Sequence, residues 1–375
     1  MGNLYFHIKS ILAVMLLLLS LGLKAQADGD TLFTYATQQI YENPDISIKI
    51  AKELLDKSGA TADDKIRAIL IISTAYSSKR EYEKAMDYAL SAMDLLPNLK
   101  NVNLRINLFN RIGGLYQELQ IYDKAILYLD RALETINKLP EGETKSRNLG
   151  INNLLRGFVY RDQMSCEIAL NYFEKGIEDY KKFPDSPGGN ANISISYYSR
   201  GDCLVELGKI DEAENNFHLS LDYAKKANAI SAIAFAEKGL AQVYTVKGEY
   251  LKSINLLTET LKNTEKVGDK VLNRELYDAL SANYLATGDF EHYSHYRNQS
   301  IRMHNEIKRT ERKTVDESIM DLISLNSEKT AQLEKKTKTI KIIFSILILV
   351  TFILLMRSII LSQKRLKSLT NRLKI

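Results

Sequence analysis

Between residues 60 and 300, apolar and small positions return on one helical face and then on a second, and this double stripe recurs along the chain. The clearest copy is Phe109-x2-Ile112-Gly113-x2-Tyr116 followed by Ala125-x3-Leu129-x2-Ala132. A large residue, an aliphatic, a small residue and a tyrosine share one face of a first helix. A small alanine then lets a second helix pack close, and its own apolar stripe comes back along the first. Another copy runs Ile69, Ile72, Ser73, Tyr76, then Ala85, Ala89, Ala92 and a closing Pro97. Downstream the frame is held by Gly157, Tyr160, Ala169, Phe173 and Gly176, then by Tyr197, Gly201, Leu204, Gly208, Ala213 and Phe217. It continues through Ala241, Tyr244, Gly248, Ser253 and Leu257, and ends on Tyr277, Leu280, Ser281, Tyr284 and Gly288, with Tyr293 where the small residue belongs. A worn first copy or cap is expected around Tyr35 and Ile48 to Leu55.

This pattern resembles the tetratricopeptide repeat, in which a Trp stands where Phe109 is found here. The resemblance implies an all-α fold, a helical-repeat solenoid over residues 28–300, in which each first helix lines a groove suited to an extended peptide. The positions 85, 125, 169, 213, 253 and 293 are spaced 40, 44, 44, 40 and 40 residues apart. That exceeds the usual period of ~34, so longer helices or longer loops are expected. Pro140-Glu141-Gly142 and Pro184 to Gly189 read as loops between repeats. The tyrosines at 76, 116, 160, 244 and 284 share one register and are expected in the core, with their hydroxyls at a polar rim.

The two ends read differently. Residues 1–27 have the form of an export signal: His7 and Lys9, an apolar run from Ile11 to Leu23, and small residues in Ala25-Gln26-Ala27. From Ile342 to Leu361, sixteen of twenty residues are apolar, about the length that crosses a bilayer as a helix. A single transmembrane helix is therefore expected over 341–362, with a short basic cytoplasmic tail over 363–375. Residues 301–340 lack Pro and Gly, and Val315/Leu322 and Leu333/Ile340 are seven apart, which suits a helical or coiled-coil linker able to form a homodimer. The layout resembles bacterial membrane-anchored sensors and regulators with exported tetratricopeptide domains. It implies an inner-membrane, single-pass protein with its repeats in the periplasm and its C-terminus in the cytoplasm. The helix-turn-helix or kinase output domain of those regulators has no counterpart after Leu361, so no output activity is carried over.

Composition narrows the chemistry. At 45% hydrophobic and 26% charged, the 375 residues are ordinary for folded proteins. The net charge of +5 hides a split: residues 334–375 contribute +9 and residues 1–27 contribute +2, leaving −6 for the body. A mildly acidic body gives no footprint for nucleic acid, whereas the basic ends suit lipid headgroups. Two Cys make no disulfide framework, and Cys166 and Cys203 fall at unlike points of neighbouring repeats, which disfavours a bond. His292, His295 and His304 could share a helix face, but no carboxylate or Cys completes a metal set. No nucleophile–base pair or nucleotide loop occurs, so neither enzymatic activity nor a cofactor is expected.

By register, Asn107, Asn110, Gln117, Arg161, Tyr198, Asp202, Lys238 and Gln242 should face the groove and bind a peptide or protein. Only Arg161 and Lys238 among them are basic, a departure from the Lys- and Asn-rich clamp with which some tetratricopeptide domains grip a terminal carboxylate. A solvated, unoccupied groove is the alternative at this level. The functional expectation is an interaction module, a sensor or adaptor relaying binding to a cytoplasmic partner, with a static envelope scaffold as the other reading.

Overall fold

The computed structural model describes residues 30–163, 165–183, 187–264 and 269–309, together with Lys338 and a few residues between 356 and 364. The chain divides into two units, Met1–Val315 and Asp316–Ile375. In the second unit the described residues are helical. In the first, every regular element among the described residues is a helix, with no strand. The order is α1 (30–42), α2 (Pro44–Leu55), α3 (Ala62–Ser78), α4 (Tyr82–Ser91), α5 (Val102–Glu118), α6 (Tyr122–Ile136) and α7 (Glu143–Asp162). It continues with α8 (Cys166–Lys181), α9 (Pro187–Glu206), α10 (Ile210–Lys226), α11 (Ile230–Val246), α12 (Tyr250–Thr264), α13 (Lys270–Ala286) and α14, helical over 290–309.

Two expectations about the ends change here. No helix among the described residues is long and apolar enough to cross a membrane, which overturns the single transmembrane helix and the single-pass, inner-membrane location with periplasmic repeats. The physical reason is that the described helices of the array are striped. Helix α6 buries Ala125, Leu129, Ala132 and Ile136 and turns polar residues outward, and α7 buries polar side chains too, among them Asn148, Asn152 and Arg156. Most of 341–362 lies outside the described residues, as do the export signal over 1–27, the linker beyond 309 and most of the basic tail.

From α3 to α14 the helices form pairs, and in five of them the connection is one three-residue turn. The middle residue of that turn is left-handed: Arg80 (φ 62°), Gln120 (61°), Gly208 (74°), Gly248 (79°) and Gly288 (78°). The N–H after it reaches back over the helix end to the carbonyl of a residue five earlier. These bonds are Glu81 to Tyr76 (2.9 Å), Ile121 to Tyr116 (2.8 Å), Lys209 to Leu204 (2.8 Å), Glu249 to Tyr244 (2.8 Å) and Asp289 to Tyr284 (3.0 Å). Such a closure satisfies a carbonyl that the helix end leaves free. The amino-terminal pair is built otherwise: only Asn43 separates α1 from α2, and the buried Ser47 hydroxyl donates to the Ala36 carbonyl at 2.8 Å.

The uneven period has a helical cause. The first helices α3, α5, α11 and α13 have 17 residues each, whereas α7 and α9 have 20. The extra turn falls in the two repeats whose spacing is 44. Helix α4 is only 10 residues long and passes into a 3-10 helix over Ala92–Asn98 that contains Pro97.

Side-chain size sets how close the pairs come. Ala85, Ala125, Ala169, Ala213 and Ser253 are all fully buried. On α10, Phe217 is also fully buried, its ring flanked by glycines of two first helices. A Cβ at Gly201 of α9 would lie 2.6 Å from that ring, and one at Gly239 of α11 only 2.3 Å. Gly157 is held in the same way against Phe173. Tyr76 and Tyr116 are buried, while Tyr160, Tyr244 and Tyr284 are half-buried. Four of the five stack on a second tyrosine twelve residues on: Tyr76 on Tyr88, Tyr116 on Tyr128, Tyr160 on Tyr172 and Tyr284 on Tyr296, at 5.0–5.8 Å between ring centroids.

Two outcomes are expected from this packing. Gly239→Ala drives a methyl into the Phe217 ring and costs about 1–3 kcal/mol; adding Phe217→Leu recovers part of that loss, read as non-additive thermal midpoints. At the turns, Gln120→Gly relieves a side chain from left-handed backbone and raises stability by about 0.5–1 kcal/mol, whereas Gly248→Ala lowers it by about 1 kcal/mol.

Candidate functional site

The first helices of successive pairs lie side by side and bond to one another through polar side chains. Between α5 and α7, the Gln117 amide donates to Asp162 at 2.6 Å, and Arg161 donates to the other oxygen of Asp162 at 3.1 Å. Deeper in the same interface, Asn152 donates to the Asn110 carbonyl oxygen at 3.0 Å and to the Leu129 backbone carbonyl at 2.9 Å. Asn110 is 3% exposed, and its own amide nitrogen has no partner among the described residues. Between α11 and α13, the Lys238 ammonium meets Glu275 at 2.7 Å, and Thr245 donates to Asn283 at 3.0 Å.

An aromatic floor runs beneath these charges. The Arg161 guanidinium lies 5.1 Å from the centre of the Phe158 ring on α7. Lys238 lies 5.2 Å over Tyr198 of α9 and 5.8 Å over Phe235 of α11, and those two rings are 5.4 Å apart. Each cation is thus held over a π face as well as beside an acid. Phe158, Tyr198 and Phe235 are partly buried.

The electrostatics follow from this crowding. Burial raises the Tyr198 phenol to about 12, against the opposing pull of Lys238. Burial alone would depress the Lys238 ammonium, but Tyr198 and Glu275 more than offset it, so lysine here is held above its usual value. Burial also raises the Asp202 carboxyl, partly countered by Lys238 and Arg161. Arg161, Tyr198, Asp202 and Lys238 therefore belong to one network on α7, α9 and α11, with Gln117 joined to it through Asp162. Asn107 and Gln242 sit partly buried on α5 and α11, and Asn110 is packed between α5 and α7.

No protein-family model matches the chain, and no curated protein matches it. Solved structures do. NprR in complex with its cognate peptide NprX superimposes with a TM-score of 0.55 at 17% identity, over 74% of this chain and 78% of that one. A Rap protein complexed with competence and sporulation factor gives 0.51 at 12% identity, over 76% and 99%. The Cut9–Hcn1 hetero-tetramer of the APC/C gives 0.52 at 14% identity, over 76% of this chain and 49% of that one.

The fold is a tetratricopeptide-like helical repeat. At such identities the likeness is one of architecture, and the chemistry of this tetratricopeptide-like array must come from its own residues.

Phe158 and Phe235 escaped the sequence reading, although a signal for them was present. Each stands three residues before a predicted groove residue, Arg161 and Lys238, and so on the same helical side. Other candidates fall into place without a site. Cys166 and Cys203 are free, buried thiols; Cys166 donates to Glu206 at 3.1 Å, and burial pushes Cys203 up to about 11, which leaves a poor nucleophile at neutral pH. His292 pairs with Asp289 at 2.8 Å and stacks on Tyr284. No group of His, Cys, Asp and Glu among the described residues could hold a metal.

The raised phenol gives a pH signature. Tyr198 is favoured in its neutral form by the fold, so the stability it contributes is complete below its unfolded value of 10.0 and is lost as pH rises toward about 12. Tyr198→Phe should flatten the fall in thermal midpoint across that window relative to the parent chain.

Proposed function

We propose that the tetratricopeptide-like array is a peptide- or protein-binding module, acting by recognition and not by catalysis, and that its ligand lies along the first-helix face of α7, α9 and α11. The observation that carries this reading is the set of rings Phe158, Tyr198 and Phe235 beneath charges of both signs, staggered by about a turn from one to the next on the same face of three successive first helices. Aromatic anchors ringed by polar groups are the usual make-up of a recognition patch. Asn107, Gln117 and Gln242 extend that patch with amides, which can match the N–H and C=O groups of an extended backbone, while Asn110, buried between α5 and α7, braces the helices beneath it. The solved neighbours support a ligand of this kind, since NprR is seen with a peptide and the Rap protein with competence and sporulation factor.

The test uses the immobilised full chain and a synthetic random heptapeptide library, in free-amine and N-acetylated forms, with retained peptides identified by mass spectrometry. Apolar or aromatic residues should be enriched at one position. Phe158→Ala or Phe235→Ala should lower the affinity of retained peptides about tenfold, the loss of one buried ring contact at an interface. The variants' thermal midpoints separate loss of binding from loss of fold. Retention no higher than on an unrelated helical protein would end this reading.

A further inference from the structure

The rungs between first helices are not continuous. Gln117 and Asp162 tie α5 to α7, and Lys238 and Glu275 tie α11 to α13. Between them stands α9, whose Asp202 makes no hydrogen bond or ion pair among the described residues. The two cations that act on it are already engaged, Arg161 with Asp162 at 3.1 Å and Lys238 with Glu275 at 2.7 Å. One turn further along α9, Glu206 is taken by the Cys166 thiol. Counting Asp162, Asp202, Glu206 and Glu275 against Arg161, Lys238 and Arg274, the last of which is 3.3 Å from Glu275, this stretch of the face carries one negative charge in excess. A ring wall stands beside it, since Tyr198 is one helical turn away on the same side of α9 and packs on Phe235.

We infer that Asp202 is the subsite that receives the cationic group of a peptide ligand, the ammonium of a lysine, the guanidinium of an arginine or a free amino terminus. This rests on the peptide-binding reading above and adds the chemistry of the ligand to it. Charge complementarity favours it: an incoming cation supplies the missing rung, whereas an incoming carboxylate would meet four acids and find Arg161, Lys238 and Arg274 already engaged. The free protein keeps Asp202 at a cost, because partial burial disfavours its charged form and the pull of Lys238 and Arg161 offsets that only in part. An acid retained at a cost between paired cations is where an exchangeable partner belongs.

The same two libraries decide it. Peptides retained by the parent chain should carry Lys or Arg at one position, enriched about fivefold or more over input, as a charge-assisted contact would give; dependence on the free amine instead of a side chain would assign the cation to the amino terminus. Asp202→Asn should abolish that preference, keep the apolar one, and melt no lower than the parent. Asp202→Lys should turn the preference toward Asp and Glu. Peptides retained with no basic preference, or with one unchanged in Asp202→Asn, would overturn the inference and leave the peptide-binding reading standing. No retained peptide at all would overturn both.

Discussion

The closeness with which a second helix can approach two first helices governs this structure. Phe217 fits because Gly201 and Gly239 leave the volume that two methyl groups would fill. Phe173 against Gly157, and Leu129 against Gly113, state the same condition elsewhere. A repeat array has no long-range core to average out such errors, since each unit leans only on its neighbours. A misfit between one ring and one backbone would therefore displace everything stacked after it, including the first-helix face on which Tyr198 and Lys238 meet. The binding surface inherits its geometry from residues that never touch it.

Much of this was legible because size and spacing are local properties. The small positions at 85, 125, 169, 213 and 253 are fully buried, and the glycines at 208, 248 and 288 mark left-handed turns. Arg80 and Gln120 show the limit of that logic: they adopt the same backbone without the residue that makes it easy, and nothing in their side chains announces it. The tyrosine register was visible, but its stacking partner twelve residues on was not, because the i, i+12 relation exists only once the turn folds one helix back upon the other. The membrane-crossing helix was inferred from hydropathy of a stretch that mostly lies outside the described residues, and no described helix has that character.

The candidate site was partly legible for a related reason. Register alone put Arg161, Tyr198, Asp202 and Lys238 on one face, yet it could not say which were already satisfied. That depends on contacts between helices about forty residues apart in sequence. Asp162, unmentioned by any motif, neutralises Arg161 and ties in Gln117, and Glu275 does so for Lys238. Only with those bonds drawn does the acid on α9 stand out from its neighbours.

The longer first helices have a consequence of their own. In α5, α7 and α13, the tyrosine that anchors the turn stands two residues before the helix end, as Tyr116, Tyr160 and Tyr284 do, and Leu204 holds that place in α9. The three added residues of α7 and α9 therefore project from the opposite edge, by about 4.5 Å at 1.5 Å per residue. One margin of the array is pinned by a repeated closure, while the other is free to vary in height. Evolution can lengthen or trim that margin in nearly whole turns without rotating the face, so new reach for a partner is more readily gained there than anywhere else along the stack.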